Sequence, residues 1–175
     1  MIYTEAENTH RSMLARWRGA MNLVGPGPLD PHFVDAVGAV HGLQAKGQWA
    51  DLGSGAGFPG IAFAARHPGA TILLVESRAK RATFLSHVVR EAKLQNATVF
   101  HGRVEDLPGE FDGVISRAFR PPVEYLRDAE RLLVPSGVAV LLTGANPPPF
   151  SGWRVQDSAE YAVTEGTRVR TVLVR

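Results

Sequence analysis

The stretch from Trp49 to Phe63, WADLGSGAGFPGIAF, places four glycines in the eight residues from Gly53 to Gly60. Glycine there lets the chain turn tightly and lets a ligand approach the backbone. Two chemistries use such a loop. Read from Gly55, GAGFPG fits G-x-G-x-x-G, the fingerprint of a nicotinamide or flavin dinucleotide site. Read from Asp51, DLGSGAG is an acid followed by alternate glycines, a pattern that suits S-adenosylmethionine and methyl transfer. Three features favour the second. The preceding strand ends at Leu52, so the first turn glycine is Gly53, and that register puts Phe58 where a third glycine belongs. A pyrophosphate needs free N–H groups at a helix start, and Pro59 removes one. No residues remain for the catalytic domain of a dehydrogenase. A glycine-rich turn without any ligand stays open as the plain alternative.

Other residues carry chemistry at matching places. Glu76 ends the second strand, 23 residues after Gly53. An acid there accepts both hydrogens of a ribose diol, whichever nucleoside cofactor is bound; otherwise it is an exposed strand-end acid. Glu105, in HGRVED after the third strand, is placed to accept from an adenine amino group, or else it is a solvated loop acid. Arg117, in SRAF after the fourth strand, stands at a strand's carboxyl end, where open parallel sheets bind ligands; its alternative is a surface salt bridge. His32 at a helix start reads as a capping or packing residue, not a catalytic one. NPPPF at Asn146–Phe150 resembles the N-P-P-aromatic motif of amino-group methylation. It follows the wrong strand and holds three prolines, so it reads as a loop.

The elements that must position these residues follow from periodicity. Thr4 to Ala20 is helical, and MNLVGPGPLDP interrupts it. Asp30 before Pro31 predicts an N-cap with proline at the first helical position, and HFVDAVGAVHGL continues as one apolar helical face ending near Gly42. QWADL, TILLVE, ATVFH, FDGVIS and VAVLLT read as strands. Between them lie helices in IAFAAR, RAKRATFLSHVVREAKL and VEYLRDAERLL, the last closed by Pro135 and Gly137. WRVQDSAEYAV and RVRTVLV alternate across TEGT like an antiparallel hairpin. Strands alternating with helices predict a doubly wound α/β domain with a mostly parallel seven-stranded sheet covered on both faces. Residues 1–44 form a small helical N-terminal extension, and residues 45–175 the cofactor-binding domain of the same structural unit.

Composition narrows the function classes. The chain has 175 residues, 45 % of them hydrophobic and 21 % charged, and a net charge of +2. That is enough for one domain burying about 70 % of its unfolded surface. No apolar run approaches the roughly 20 residues of a membrane span, and MIYTEAENTHRSML lacks a signal-peptide apolar region. A cytoplasmic monomer without membrane or metal is expected. The absence of cysteine excludes disulfides and thiolate nucleophiles, and with them the covalent route to cytosine C5 methylation. Arg78, Lys80, Arg81, Arg90 and Lys93 lie on or near one helix, either as a solvated face or as phosphate contacts. Aromatic residues are only 8 %, so a separate base-stacking module is not expected.

Taken in order, RWRGAMNLV, HFVDAV, DLGSGAGFPGIAFA, ESRAKRATFL, GRVEDL and FDGVISRAF resemble the GidB family, also called RsmG, over nearly the whole chain. GAGFPGI together with KRATFL and ISRAF is the specific part. The resemblance implies a class I, Rossmann-like methyltransferase that uses S-adenosylmethionine on guanine N7 of 16S ribosomal RNA, within or outside the small ribosomal subunit. It implies that Gly53, Gly55 and Phe58 line the cofactor site, that Glu76 takes the ribose, and that Val104 and Glu105 hold the adenine. It also implies that Arg117 faces both cofactor and transfer site, with Asn22 and His32 nearby. Two departures bear on RNA rather than on cofactor. Thr143 stands in LTG where the family commonly has lysine, and the helical segment before MNLV is short. Another RNA, a small-molecule acceptor, or a nucleoside-binding module without catalysis are the alternatives.

Overall fold

The computed structural model describes residues 2–175. Its elements are α1 (Glu5–Met21), α2 (Asp30–Val40), β1 (Gly47–Leu52), α3 (Gly60–Arg66), β2 (Ala70–Glu76), α4 (Ala79–Glu91), β3 (Ala97–His101), β4 (Phe111–Ile115), α5 (Pro122–Leu132), β5 (Leu133–Thr143), β6 (Arg154–Ala162) and β7 (Thr167–Val174). The seven strands form one sheet in the order β3-β2-β1-β4-β5-β7-β6. β1 pairs in parallel with β2 on one side and β4 on the other. β7 runs antiparallel between β5 and β6, so the last strand in chain order is interior and β6 forms the edge. The sheet is therefore doubly wound and mostly parallel with an antiparallel C-terminal hairpin, as the alternation predicts.

The order reverses between β1 and β4, and their carboxyl ends open a crevice at that switch point. On one face, α1 to α4 bury Leu14, Phe33, Phe58, Ile61, Phe63, Phe84 and Leu85 against the sheet. On the other, α5 buries Tyr125, Leu126, Ala129 and Leu132 with Val104, Leu107 and Phe111. The N-terminal helices thus share a core with the glycine loop. Thr4 and Glu7 close a capping box at the start of α1, which satisfies two otherwise free donors. The buried Glu7 carboxylate also takes the Arg66 guanidinium at 2.6 and 2.8 Å, docking α1 on α3.

Element ends differ from the sequence reading in three places. α2 is capped by Leu29, so Asp30 is already helical, and the helix ends at Val40, ahead of Gly42 at φ +73°. α4 stops at Glu91, with Lys93 in the left-handed region. β5 starts at Leu133 directly after α5, so Pro135 and Gly137 lie within the strand. They occupy the irregular stretch between the Phe111–Leu133 and Gly113–Val138 pairs, where proline's missing N–H breaks no ladder bond. Among the described residues no helix is long and apolar enough to cross a membrane, and no group of three or more acidic or histidine side chains is placed to hold a metal ion.

Candidate active site

β1 delivers the chain into the glycine loop at Gly53, whose φ is +73°; Gly55 and Gly57 follow at +58° and +97°. A side chain at Gly53 would be strained and would also meet the Phe119 ring at 2.3 Å. Most of the loop's amides are committed. Ser54 donates to the Val75 carbonyl, Gly57 and Phe58 to the Ser54 carbonyl, and Ile61 to the Gly57 carbonyl. Gly55 donates to Glu76 Oε2 and Gly60 to Asp51 Oδ2, both at 3.0 Å. The start of α3 therefore presents no row of free amides to a pyrophosphate, which sets aside the dinucleotide reading.

Gly53, Glu76, Val104 and Glu105 line one cleft of about 450 Å³, together with Arg78, Arg81, Phe119 and Arg120. That size lies within the roughly 300–1,000 Å³ of small-molecule sites, and the cradle at Gly53 is one that a Cβ would fill, so the residues present fit a nucleoside cofactor. Glu76 is buried, and its Oε1 accepts the Arg78 amide at 2.8 Å. Glu105 is more exposed and pairs with Arg120, whose donated hydrogen bond holds the Glu105 carboxyl below its ordinary range. Arg81 donates to the Asn22 carbonyl at 3.1 Å while lining the cleft. Arg78 and Arg81 therefore belong to the cleft rather than to a detached basic face, and Arg90 is taken up by Glu91 and His87.

Gly55, Phe58 and Arg117 do not line this cleft, although Gly55 borders it through its bond to Glu76. Phe58 is buried among His10, Phe33 and His32, and the Arg117 guanidinium lies over its ring at 4.7 Å. Arg117 also donates to Asp35 Oδ2 at 3.2 Å. It lines a second cavity with His32, Asp35 and Arg168, and Ala118 lines both cavities. His32 stacks on Phe58 at 5.6 Å with its ring tilted 25°, consistent with a packing role. Burial, then Arg117, pull its imidazole below its ordinary pKa.

Sequence reasoning missed Asp35, which holds Arg117, and His10, whose ring N–H donates to the Ala56 carbonyl at 2.7 Å. The available signal for Asp35 was a lone acid inside the apolar HFVDAV helix. For His10, on a polar helix distant in sequence from the loop, there was none.

His10 and Asp51 give the site a testable pH behaviour. Burial pushes the His10 imidazole down to about 4 from 6.5, against its bond to Ala56 and the nearby Glu7. Burial pushes Asp51 up to about 7 from 3.8, against its hydrogen bonds and Arg117. The contribution of His10 is present above pH 6.5 and is lost as pH falls toward 4. That of Asp51 is present below pH 3.8 and is lost as pH rises through 7. Between pH 4 and 6.5 the two oppose each other, each with a limiting slope of about 1.4 kcal/mol per pH unit. Subtracting the parent's urea-unfolding free energies from those of His10→Gln should leave a difference that becomes more negative as pH rises across this window. Asp51→Asn should leave the opposite slope. Flat difference curves would show that neither group titrates differently on folding.

Comparison with known proteins places this site in a family. The model of the GidB family, described as rRNA small subunit methyltransferase G, matches residues 5–152. Ribosomal RNA small subunit methyltransferase G of Paracoccus denitrificans is 35 % identical over 149 residues, which cover 82 % of this chain and 77 % of that protein. A putative O-methyltransferase from Klebsiella pneumoniae superposes with a TM-score of 0.66 at 17 % identity, over 99 % of this chain and 91 % of that one. M. jannaschii TYW2, solved in complex with AdoMet, superposes at 0.63 with 13 % identity, over 87 % and 78 %. The two structures establish the methyltransferase fold. The match of the family model to most of the chain, together with the Paracoccus relative, establishes that the chain belongs to the GidB family of small-subunit ribosomal RNA methyltransferases.

Proposed function

We propose that the protein methylates N7 of a guanine in 16S ribosomal RNA, using S-adenosylmethionine. Family membership supports the cofactor and the class of acceptor. The observation that carries the reading in this chain is Ala118, in the loop that follows β4, which lines both the acid-walled cleft and the arginine-bearing cavity. A cofactor in the first and a nucleotide in the second meet across one residue. In this reading Gly53 and Gly55 give the cofactor room, Glu76 takes the ribose diol, and Val104 and Glu105 take the adenine. Phe58 acts by supporting Arg117.

S-adenosylmethionine supplies a methyl group made electrophilic by its sulfonium. Guanine N7 has an in-plane lone pair and needs no deprotonation, so the chain need provide no base. This agrees with Asp35, the buried carboxylate of the acceptor cavity, being already bound by Arg117, Arg168 and Tyr161. The chain's task is to hold the acceptor in line and exclude water, and positioning supplies about 7–11 kcal/mol in well-oriented reactions. Nucleoside mass spectrometry of 16S ribosomal RNA tests the proposal. A strain lacking the gene should lose one N7-methylguanosine and regain it when the gene is returned. An unchanged nucleoside content would end this reading.

A further inference from the structure

The second cavity holds about 680 Å³ and opens beside the 163–167 turn of the terminal hairpin. Its floor is organised by Asp35, which is 5 % exposed. Asp35 Oδ2 takes Arg117 at 3.2 Å and Arg168 at 3.4 Å, and Oδ1 accepts the Tyr161 hydroxyl at 3.0 Å. Two guanidinium groups on one carboxylate leave the Asp35 cluster with one positive charge in excess, and Glu165, on the turn at the cavity's rim, is the only other acid lining it. The two arginines are not equivalent. Arg117 is pinned between Asp35 and the Phe58 ring, with its side chain 17 % exposed. The Arg168 side chain is 41 % exposed, lines the cavity, and has Asp35 as its one ion-pair partner among the described residues. The neighbouring strand end carries no charge. Thr143 pairs with Val169 across the β5–β7 ladder, and its hydroxyl donates to the Ala145 carbonyl. Arg168 is thus the cation at the place where β5 and β7 meet the cavity, and His32 and Pro31 give the same cavity a ring-lined wall.

We infer that this cavity seats the acceptor nucleotide and that Arg168 binds its phosphate, with Asp35 as the positioning residue that fixes Arg168 beside Arg117. The inference rests on the RNA-methylation reading for its substrate class. A guanidinium fork grips phosphate oxygens in pairs, and an arginine held from behind by a buried carboxylate loses less freedom on doing so. Arg168 lies at the start of β7 in the terminal hairpin, no residue of which lines the cofactor cleft, so acceptor binding and cofactor binding are separable by mutation.

The test measures binding of a short guanine-containing RNA oligonucleotide to the protein loaded with S-adenosylhomocysteine, over a range of salt. Arg168→Ala should weaken RNA binding by about 10- to 150-fold, the scale of a hydrogen bond to a charged group. It should also flatten the dependence of log K on log salt by about 0.7, one phosphate contact on a single strand. Arg168→Lys should restore the salt slope and only part of the affinity. Asp35→Asn should weaken RNA binding, and S-adenosylhomocysteine affinity should stay within about twofold of the parent in all three. Equal RNA affinity and slope in Arg168→Ala and the parent would overturn the inference, as would RNA binding too weak to detect in the parent at low salt. An equal loss of S-adenosylhomocysteine affinity would move Arg168 to the cofactor site. A parent that binds the oligonucleotide through Arg168 but leaves small ribosomal subunits unmethylated would sink the proposed function and leave this pocket standing.

Discussion

Glu76→Ala is expected to weaken S-adenosylmethionine binding roughly 10- to 150-fold, from the loss of hydrogen bonds to a charged acceptor worth about 1.5–3 kcal/mol. The structure adds a second consequence. Glu76 is buried, and its two oxygens accept the amides of Gly55 and Arg78, tying the glycine loop and the start of α4 to the end of β2. Alanine leaves both amides without that partner, so the ligand-free variant should also melt at a lower temperature. Glu76→Gln separates the effects, because its single amide oxygen can still accept one of the two. Its melting temperature should lie between those of parent and alanine variant. Calorimetric titration of variants with parent-like circular dichroism gives the answer. Unchanged affinity in a folded alanine variant would leave Glu76 as a loop tether that does not touch the ribose.

Arg117→Lys should lower kcat for methyl transfer to small ribosomal subunits by on the order of 100-fold, the cost of a displacement of about 1 Å at a reacting centre. Lysine keeps the charge but loses the flat face that lies on Phe58 and the fork that reaches Asp35. Cofactor affinity should change little, because Arg117 does not line the cofactor cleft. Asn146→Ala, in the proline-rich loop after β5, serves as the control and should be nearly silent. If Asn146→Ala abolished transfer while Arg117→Lys did not, the acceptor would sit against the 145–150 loop, and amino-group methylation would become the better hypothesis.

The frame of the protein was legible because its signals are local. Continuous apolar runs such as TILLVE announce buried parallel strands, and the alternation in RVRTVLV announces the hairpin. The position of Glu76 at the end of β2 was legible for the same reason, as was the first turn glycine after Leu52. The connections between elements were not legible. That Arg117 turns away from the cleft toward Asp35, 82 residues earlier in the chain, depends on how α2 packs beside β4. That Phe58 sits beneath Arg117 and off the cleft lining depends on His10 and Phe33 closing around it. Arg168 gave no sequence signal at all, since a charged residue near a hairpin turn ordinarily faces solvent.

The placement of β7 between β5 and β6 has a consequence for how the protein is made. During synthesis β6 is produced before the strand that joins it to the sheet, so residues 154–162 have no neighbour to pair with until residues 167–174 follow. Until then β5 is an open sheet edge, the kind that recruits stray strands. β7 covers that edge, brings Arg168 to Asp35 and seats the buried Arg170 at the His41 carbonyl. A chain cut short within the final hairpin would therefore keep every residue that lines the cofactor cleft and lose a wall of the arginine-bearing cavity.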